Sequence, residues 1–156
     1  PFEFRPYRLA KKVAAGADFI QTQLIYDIPR FEEFMKKIVD MGLHEKVAIL
    51  AGVGPLKSSG MARYMRDQVP GMIVADEYVD RMLAAVKGID KEEKVARRDA
   101  WRAEGIKICI EQIQQMMEVE GVAGVHVMAI EWEEAVQPIV EGAGLSPRPV
   151  VNGNGT

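Results

Sequence analysis

Two amides, Gln21 and Gln23, stand two residues apart inside the strand-like stretch ADFIQTQLIYDIPRF, Ala17 to Phe31. A carboxamide offers a donor and an acceptor together. Buried without a partner, each would cost on the order of 1–3 kcal/mol. A strand sends alternate side chains to opposite faces, which groups Ile20, Thr22, Leu24 and Tyr26 on one side and Phe19, Gln21, Gln23 and Ile25 on the other. The amide face is expected to meet water, other polar groups or a ligand.

Other residues with chemical potential are weaker candidates. Glu131, Glu133 and Glu134 follow a third apolar stretch and open a helix, where negative side chains suit the helix dipole; Glu131, at a strand's carboxyl end, is the one carboxylate placed for catalysis. Cys109 falls in the apolar spacing Ile106, Cys109, Ile110, Ile113, Met116, Met117 and reads as core. His126 lies inside a strand and reads as a hydrogen-bonded structural residue. With only His44 and His126 and one cysteine, no cluster is spaced like a metal site. Gly52-x-Gly54 lacks the third glycine of a dinucleotide fingerprint, since Lys57 stands there, and Leu56 before Lys57 and Ser58 is not the glycine of a phosphate loop. These glycines let backbone pass close to something at a strand's carboxyl end.

The elements that carry these residues alternate. Helical spacing in RPYRLAKKVAAG ends at Gly16, and the strand DFIQTQLIY follows. Asp27 is placed to cap a helix that sets Phe31, Phe34, Met35, Ile38 and Val39 on one side and stops at Gly42. KVAILAGVGP reads as a strand buried on both faces. SSGMARYMRDQV and DEYVDRMLAAVKG predict two helices, the second capped by Asp76 and closed by Gly88. Lys91 to Val119 is one long helix or two joined near Gly105. AGVHVMAIEW is the third strand, and EEAVQPIVEGAG the closing helix, with Pro138 near its first turn. Strand and helix alternation implies parallel βα units, either in an open doubly wound sheet or in an arc of a (β/α)8 barrel, which needs eight strands.

Composition sets limits on function. Of 156 residues, 48% are hydrophobic and 28% charged, with a formal net charge of −3, an ordinary globular balance. Basic residues are interleaved with acids, as in GIDKEEKVARRDAWRAEG, so no nucleic-acid stripe stands out. No run of about 18 apolar residues marks a membrane span, no signal-peptide pattern opens the chain, and the lone cysteine suits a cytoplasmic protein. The first residue is Pro rather than Met, as expected of a processed chain or a piece of a longer one.

Three stretches, KKVAAGADFIQTQLIYD, ILAGVGPLKSSGMARYM and EGVAGVHVMAIEWEEAV, together resemble the later part of methylenetetrahydrofolate reductase, most closely the branch of anaerobic bacteria and archaea. The likeness runs from about Phe4 to Pro149. It implies an α/β fold in which the three strands are the last three of a (β/α)8 TIM barrel, with residues 1–149 the C-terminal segment of the flavoenzyme domain and 150–156 a disordered tail. The family activity it implies is flavin-dependent (FAD or FMN) reduction of 5,10-methylenetetrahydrofolate to 5-methyltetrahydrofolate, in one-carbon metabolism and methionine biosynthesis. NAD(P)H or a redox partner protein supplies the electrons, and the rest of the barrel or a second copy is the structural partner.

By the same resemblance Gln23 binds the folate pterin and Gln21 supports it. Met61 and Met65 border the shared folate and nicotinamide pocket, although other members carry Gln and Phe there. Lys12 lies near the flavin phosphates, Met128 near the flavin, and Ile130 near the nicotinamide. The family's acid lies on the first strand, upstream of this chain, so no residue here is assigned as catalytic and the segment alone is expected to be inactive. The alternative reading is a stand-alone, non-catalytic α/β interaction or regulatory module.

Overall fold

Two glycines and one aspartate set the first boundaries. The computed structural model describes residues 2–147. A 3-10 turn, Phe2–Phe4, leads into α1, Arg5–Ala14, which Gly16 terminates at φ 93°. After β1, Phe19–Leu24, the Asp27 carboxylate accepts from the Arg30 N–H at 3.1 Å and starts α2, Ile28–Asp40. Gly42, at φ 63°, turns the chain toward β2, Ala48–Val53. Helices α3, Ser59–Gln68, α4, Asp76–Ala84, and α5, Lys94–Met117, precede β3, Gly124–Val127. A 3-10 turn, Glu133–Ala135, and α6, Val136–Gly142, follow.

The sheet runs β1-β2-β3, parallel throughout and without a reversal of order. Ile49, Ala51 and Val53 of β2 are buried against Leu9 of α1, Phe31, Met35 and Ile38 of α2, Cys109, Ile113 and Met116 of α5, and Ile139 of α6. These helices therefore gather on one face, the arrangement of a barrel arc rather than of a sheet covered on both sides. Ala48 is exposed and Leu50 half-buried, so β2 is not buried on both faces as its apolar run suggests. A second cluster, built on Tyr26, Leu56, Met65, Val79, Met82 and Ile108, joins α3 and α4 to the middle of α5.

Several boundaries differ from the sequence expectation. Helix α5, by contrast, is continuous through Gly105, the first of the two readings, and only glycine fits there because a Cβ would collide with the Leu56 carbonyl of the loop after β2. Ala75, not Asp76, is the cap residue of α4; Asp76 sits in the first turn and pairs with Arg66 at 2.8 Å. Strand β3 stops at Val127, so Met128, Ile130 and Glu131 lie beyond it rather than on it. The expectation for 150–156 falls outside the described residues. No helix among those described is long and apolar enough to cross a membrane.

Candidate functional site: a cationic cavity along β1

The polar stretch of β1 carries a bulge. Gln21 pairs with Leu50 and Leu24 with Gly52, so Thr22 and Gln23 together oppose Ala51. The extra residue reverses the alternation: Ile20 and Ile25, five apart, both pack on the main core cluster, while Leu24 and Tyr26 join the second. Gln21 thus precedes the bulge and Gln23 lies within it; both are exposed, but they do not form one continuous polar face. The Thr22 hydroxyl seals the bulge by accepting from the Gly52 N–H and donating to the Gln23 carbonyl, both at 2.8 Å. Thr22 is therefore a backbone clamp, not a residue facing the helices as alternation implies.

Gln23 opens onto a cavity of about 630 Å³ along the free edge of β1, within the size range of small-molecule sites. Arg5, Arg8 and Lys12 of α1 and Arg30 of α2 line it, with Leu9, Ile20, Phe31 and Phe34 as apolar wall and Pro70 to Ile73 closing one side. Asp27 is the one carboxylate in the lining, and it is committed to the α2 cap. Arg30 lies 4.3 Å above the Phe2 ring, which orients its guanidinium. The three α1 cations follow i, i+3, i+7 spacing and so share one helix face. That spacing is legible in the sequence, where family resemblance marks only Lys12; Arg5, Arg8 and Arg30 are additions from the structure. Gln21 is exposed and does not line this cavity.

The remaining candidates lie at the carboxyl ends of β2 and β3. Met65 is buried in the second cluster and Met61 packs half-buried against it, with its sulfur accepting from the Lys57 N–H at 3.4 Å. Met128 donates its N–H to the Val53 carbonyl at 2.8 Å and lays its side chain over Gly52. Ile130 is exposed, and its carbonyl accepts from the Lys57 ammonium at 3.0 Å. Lys12 and Gln23 share the β1 cavity; Met61, Met65, Met128 and Ile130 are not in its lining.

Polar groups behind these residues fix the loops. Tyr26, buried, donates its hydroxyl to the Gly54 carbonyl at 2.9 Å, and burial holds that phenol above its usual range. Burial also pushes the Cys109 thiol up to about 12, so it stays protonated and unreactive at neutral pH. His126 does not fit the expectation of a hydrogen-bonded residue: its Nδ1 is buried without a partner among the described residues. The buried Gln112 amide of α5 is likewise unpaired there, and no motif had marked it.

A parallel α/β arc with its helices gathered on one face belongs to the class of (β/α)8 barrel folds. The methylenetetrahydrofolate reductase family model matches residues 4–144, and the chain belongs to that family. It is 28% identical over 149 residues to methylenetetrahydrofolate reductase 1 of Schizosaccharomyces pombe, covering 94% of this chain and 23% of that protein. Methylenetetrahydrofolate reductase 2 of Saccharomyces cerevisiae is 27% identical over 139 residues, 89% of this chain and 21% of its own. Methylenetetrahydrofolate reductase (NADH) 1 of Arabidopsis thaliana is 27% identical over 141 residues, 88% and 21%. The chain spans about a fifth of the length of these relatives.

Proposed function

We propose that this chain forms one wall of the site in which a flavin-dependent methylenetetrahydrofolate reductase converts 5,10-methylenetetrahydrofolate to 5-methyltetrahydrofolate. The observation that carries the reading is that Lys12 and Gln23, given to flavin and folate by family resemblance, border a single cavity. A flavin, FAD or FMN, suits the donor set: Arg5, Arg8, Lys12 and Arg30 face one carboxylate that is already engaged, a balance that favours phosphate. When bound, the flavin accepts electrons from NAD(P)H or a redox partner protein and delivers a hydride to the folate.

The side chains have separable tasks. Lys12 with the α1 arginines holds the anionic end of the cofactor, and the Gln23 amide reads the pterin; Gln21 lies outside the cavity and has no direct part in it. Met61, Met65, Met128 and Ile130 lie outside this cavity, at the carboxyl ends of β2 and β3, and a place for them beside folate and nicotinamide rests on family resemblance alone. No carboxylate among the described residues is free to act as acid in the cavity, so the chain by itself does not turn over. The free edges of β1 and β3 are where further barrel strands, or a second copy, pair, and a strand added beside β1 would form the remaining wall of the cavity.

Flavin titration of the full-length apoprotein tests the assignment. Lys12→Ala should weaken FAD or FMN binding about tenfold or more, the scale of one charge-assisted hydrogen bond, and flatten its salt dependence. Unchanged affinity and salt dependence would remove the cofactor from this cavity.

A further inference from the structure

One side chain ties together two loops at the carboxyl end of the sheet. Residues 129–132 form a tight turn closed by the Trp132 N–H donating to the Ala129 carbonyl at 3.0 Å. Within it Glu131 has φ 52°, and it is the one non-glycine residue with positive φ among those described. That place in a turn suits Gly or Asn, because a Cβ crowds the backbone there. A residue held so needs support from its surroundings. On one side Trp132 is buried, with Arg102 5.1 Å from its ring. On the other is Lys57, from the loop after β2, whose ammonium donates to the Ile130 carbonyl at 3.0 Å and stands 4.0 Å from the Glu131 carboxylate.

Lys57 is well placed to hold. Its backbone N–H donates to the Met61 sulfur, the Ser58 hydroxyl next to it caps α3, and its side chain is 31% exposed. The Glu131 carboxylate is 89% exposed, so the bond to the carbonyl carries the contact and the ion pair adds little. The preceding residue in the run, Met128, is anchored to β2 through the Val53 carbonyl. The segment from Met128 to Glu131 is thus fastened to the β2 side at both ends.

We propose that Lys57 is a positioning residue, a clasp that keeps the 129–132 turn in its left-handed form and so sets where Met128 and Ile130 stand. The part these two play beside a flavin rests on the function proposed above; the clasp itself does not.

The test uses the full-length protein and hydrogen exchange at the Trp132 amide. Lys57→Met keeps the aliphatic stem and removes the donor, and should speed that exchange about tenfold or more as the turn opens locally. Adding Glu131→Gly should restore slow exchange, because glycine adopts positive φ without a clasp. Unchanged exchange in Lys57→Met, or a double variant as fast as the single, overturns the proposal. If Lys57→Met does not fold, Glu131→Gly should rescue folding, and a double variant that also fails to fold overturns it. With flavin bound, Lys57→Met should also shift the visible flavin band. Faster exchange with an unmoved band keeps the clasp and removes Met128 and Ile130 from the flavin's surroundings.

Discussion

The Tyr26 hydroxyl donates to the Gly54 carbonyl across 2.9 Å of buried space, joining the end of β1 to the loop that leaves β2. This bond fixes the mouth of the sheet where the two strands diverge. Tyr26→Phe leaves the carbonyl unpaired and should cost about 1–2 kcal/mol. Chemical denaturation measures it, and no loss of stability would mean that water or a loop shift replaces the hydroxyl.

Close approach, not turn geometry, explains Gly52 of β2 and Gly54 just after it. A Cβ at Gly52 would press into the Gln23 carbonyl and come within 2.7 Å of the Met128 side chain. One of those neighbours is backbone and cannot swing aside, so Gly52→Ala should cost roughly 1–3 kcal/mol through overpacking. The same change at exposed Gly60, where the Ser58 hydroxyl lies 3.6 Å away, should be close to neutral or mildly stabilising. Equal effects at the two sites would contradict the close approach.

A pH dependence follows from the link between α4 and α5. Arg81 bonds Glu104 at 2.7 Å and also bonds Glu111, and this partner holds the Glu111 carboxyl below its usual range. A carboxylate lowered in the folded state adds stability above its unfolded pKa of about 4.3 and loses it as pH falls through the folded value. Glu111 is 37% exposed, so screening keeps the contribution to about 1 kcal/mol or less. Arg81→Met should therefore be less stable than the parent at pH 7, with the gap closing in acid. Urea unfolding at both pH values checks it, and a gap that widens in acid would contradict it.

Local signals were legible in the sequence where they depend on a few neighbouring residues. Gly16, Asp27 and Gly42 mark the limits of α1 and α2, and the core face of α2 follows from its spacing. The bulge in β1 was not legible, because it depends on a Thr22 hydroxyl meeting the Gly52 N–H thirty residues away. The end of β3 was hidden too. Its apolar run continues to Ile130, but pairing ends where β2 gives way to Gly54 and Pro55, and proline has no N–H to extend a ladder. For the site, Gln23 and Lys12 could be named, whereas their common cavity needed α1, β1 and the 69–73 segment brought together.

The role proposed for Gln23, reading the folate rather than merely lining a polar strand, separates the two half-reactions. Gln21→Ala, outside the cavity and clear of the Thr22 clamp, is the control. In the full-length enzyme, rapid-mixing measurements separate flavin reduction by the donor from flavin oxidation by methylenetetrahydrofolate. Gln23→Ala should weaken folate binding about tenfold to a hundredfold, the scale of stranding a polar partner by 1–3 kcal/mol, with flavin reduction nearly unchanged and a smaller effect from Gln21→Ala. Equal loss in both half-reactions, or none in the folate half, would contradict the account.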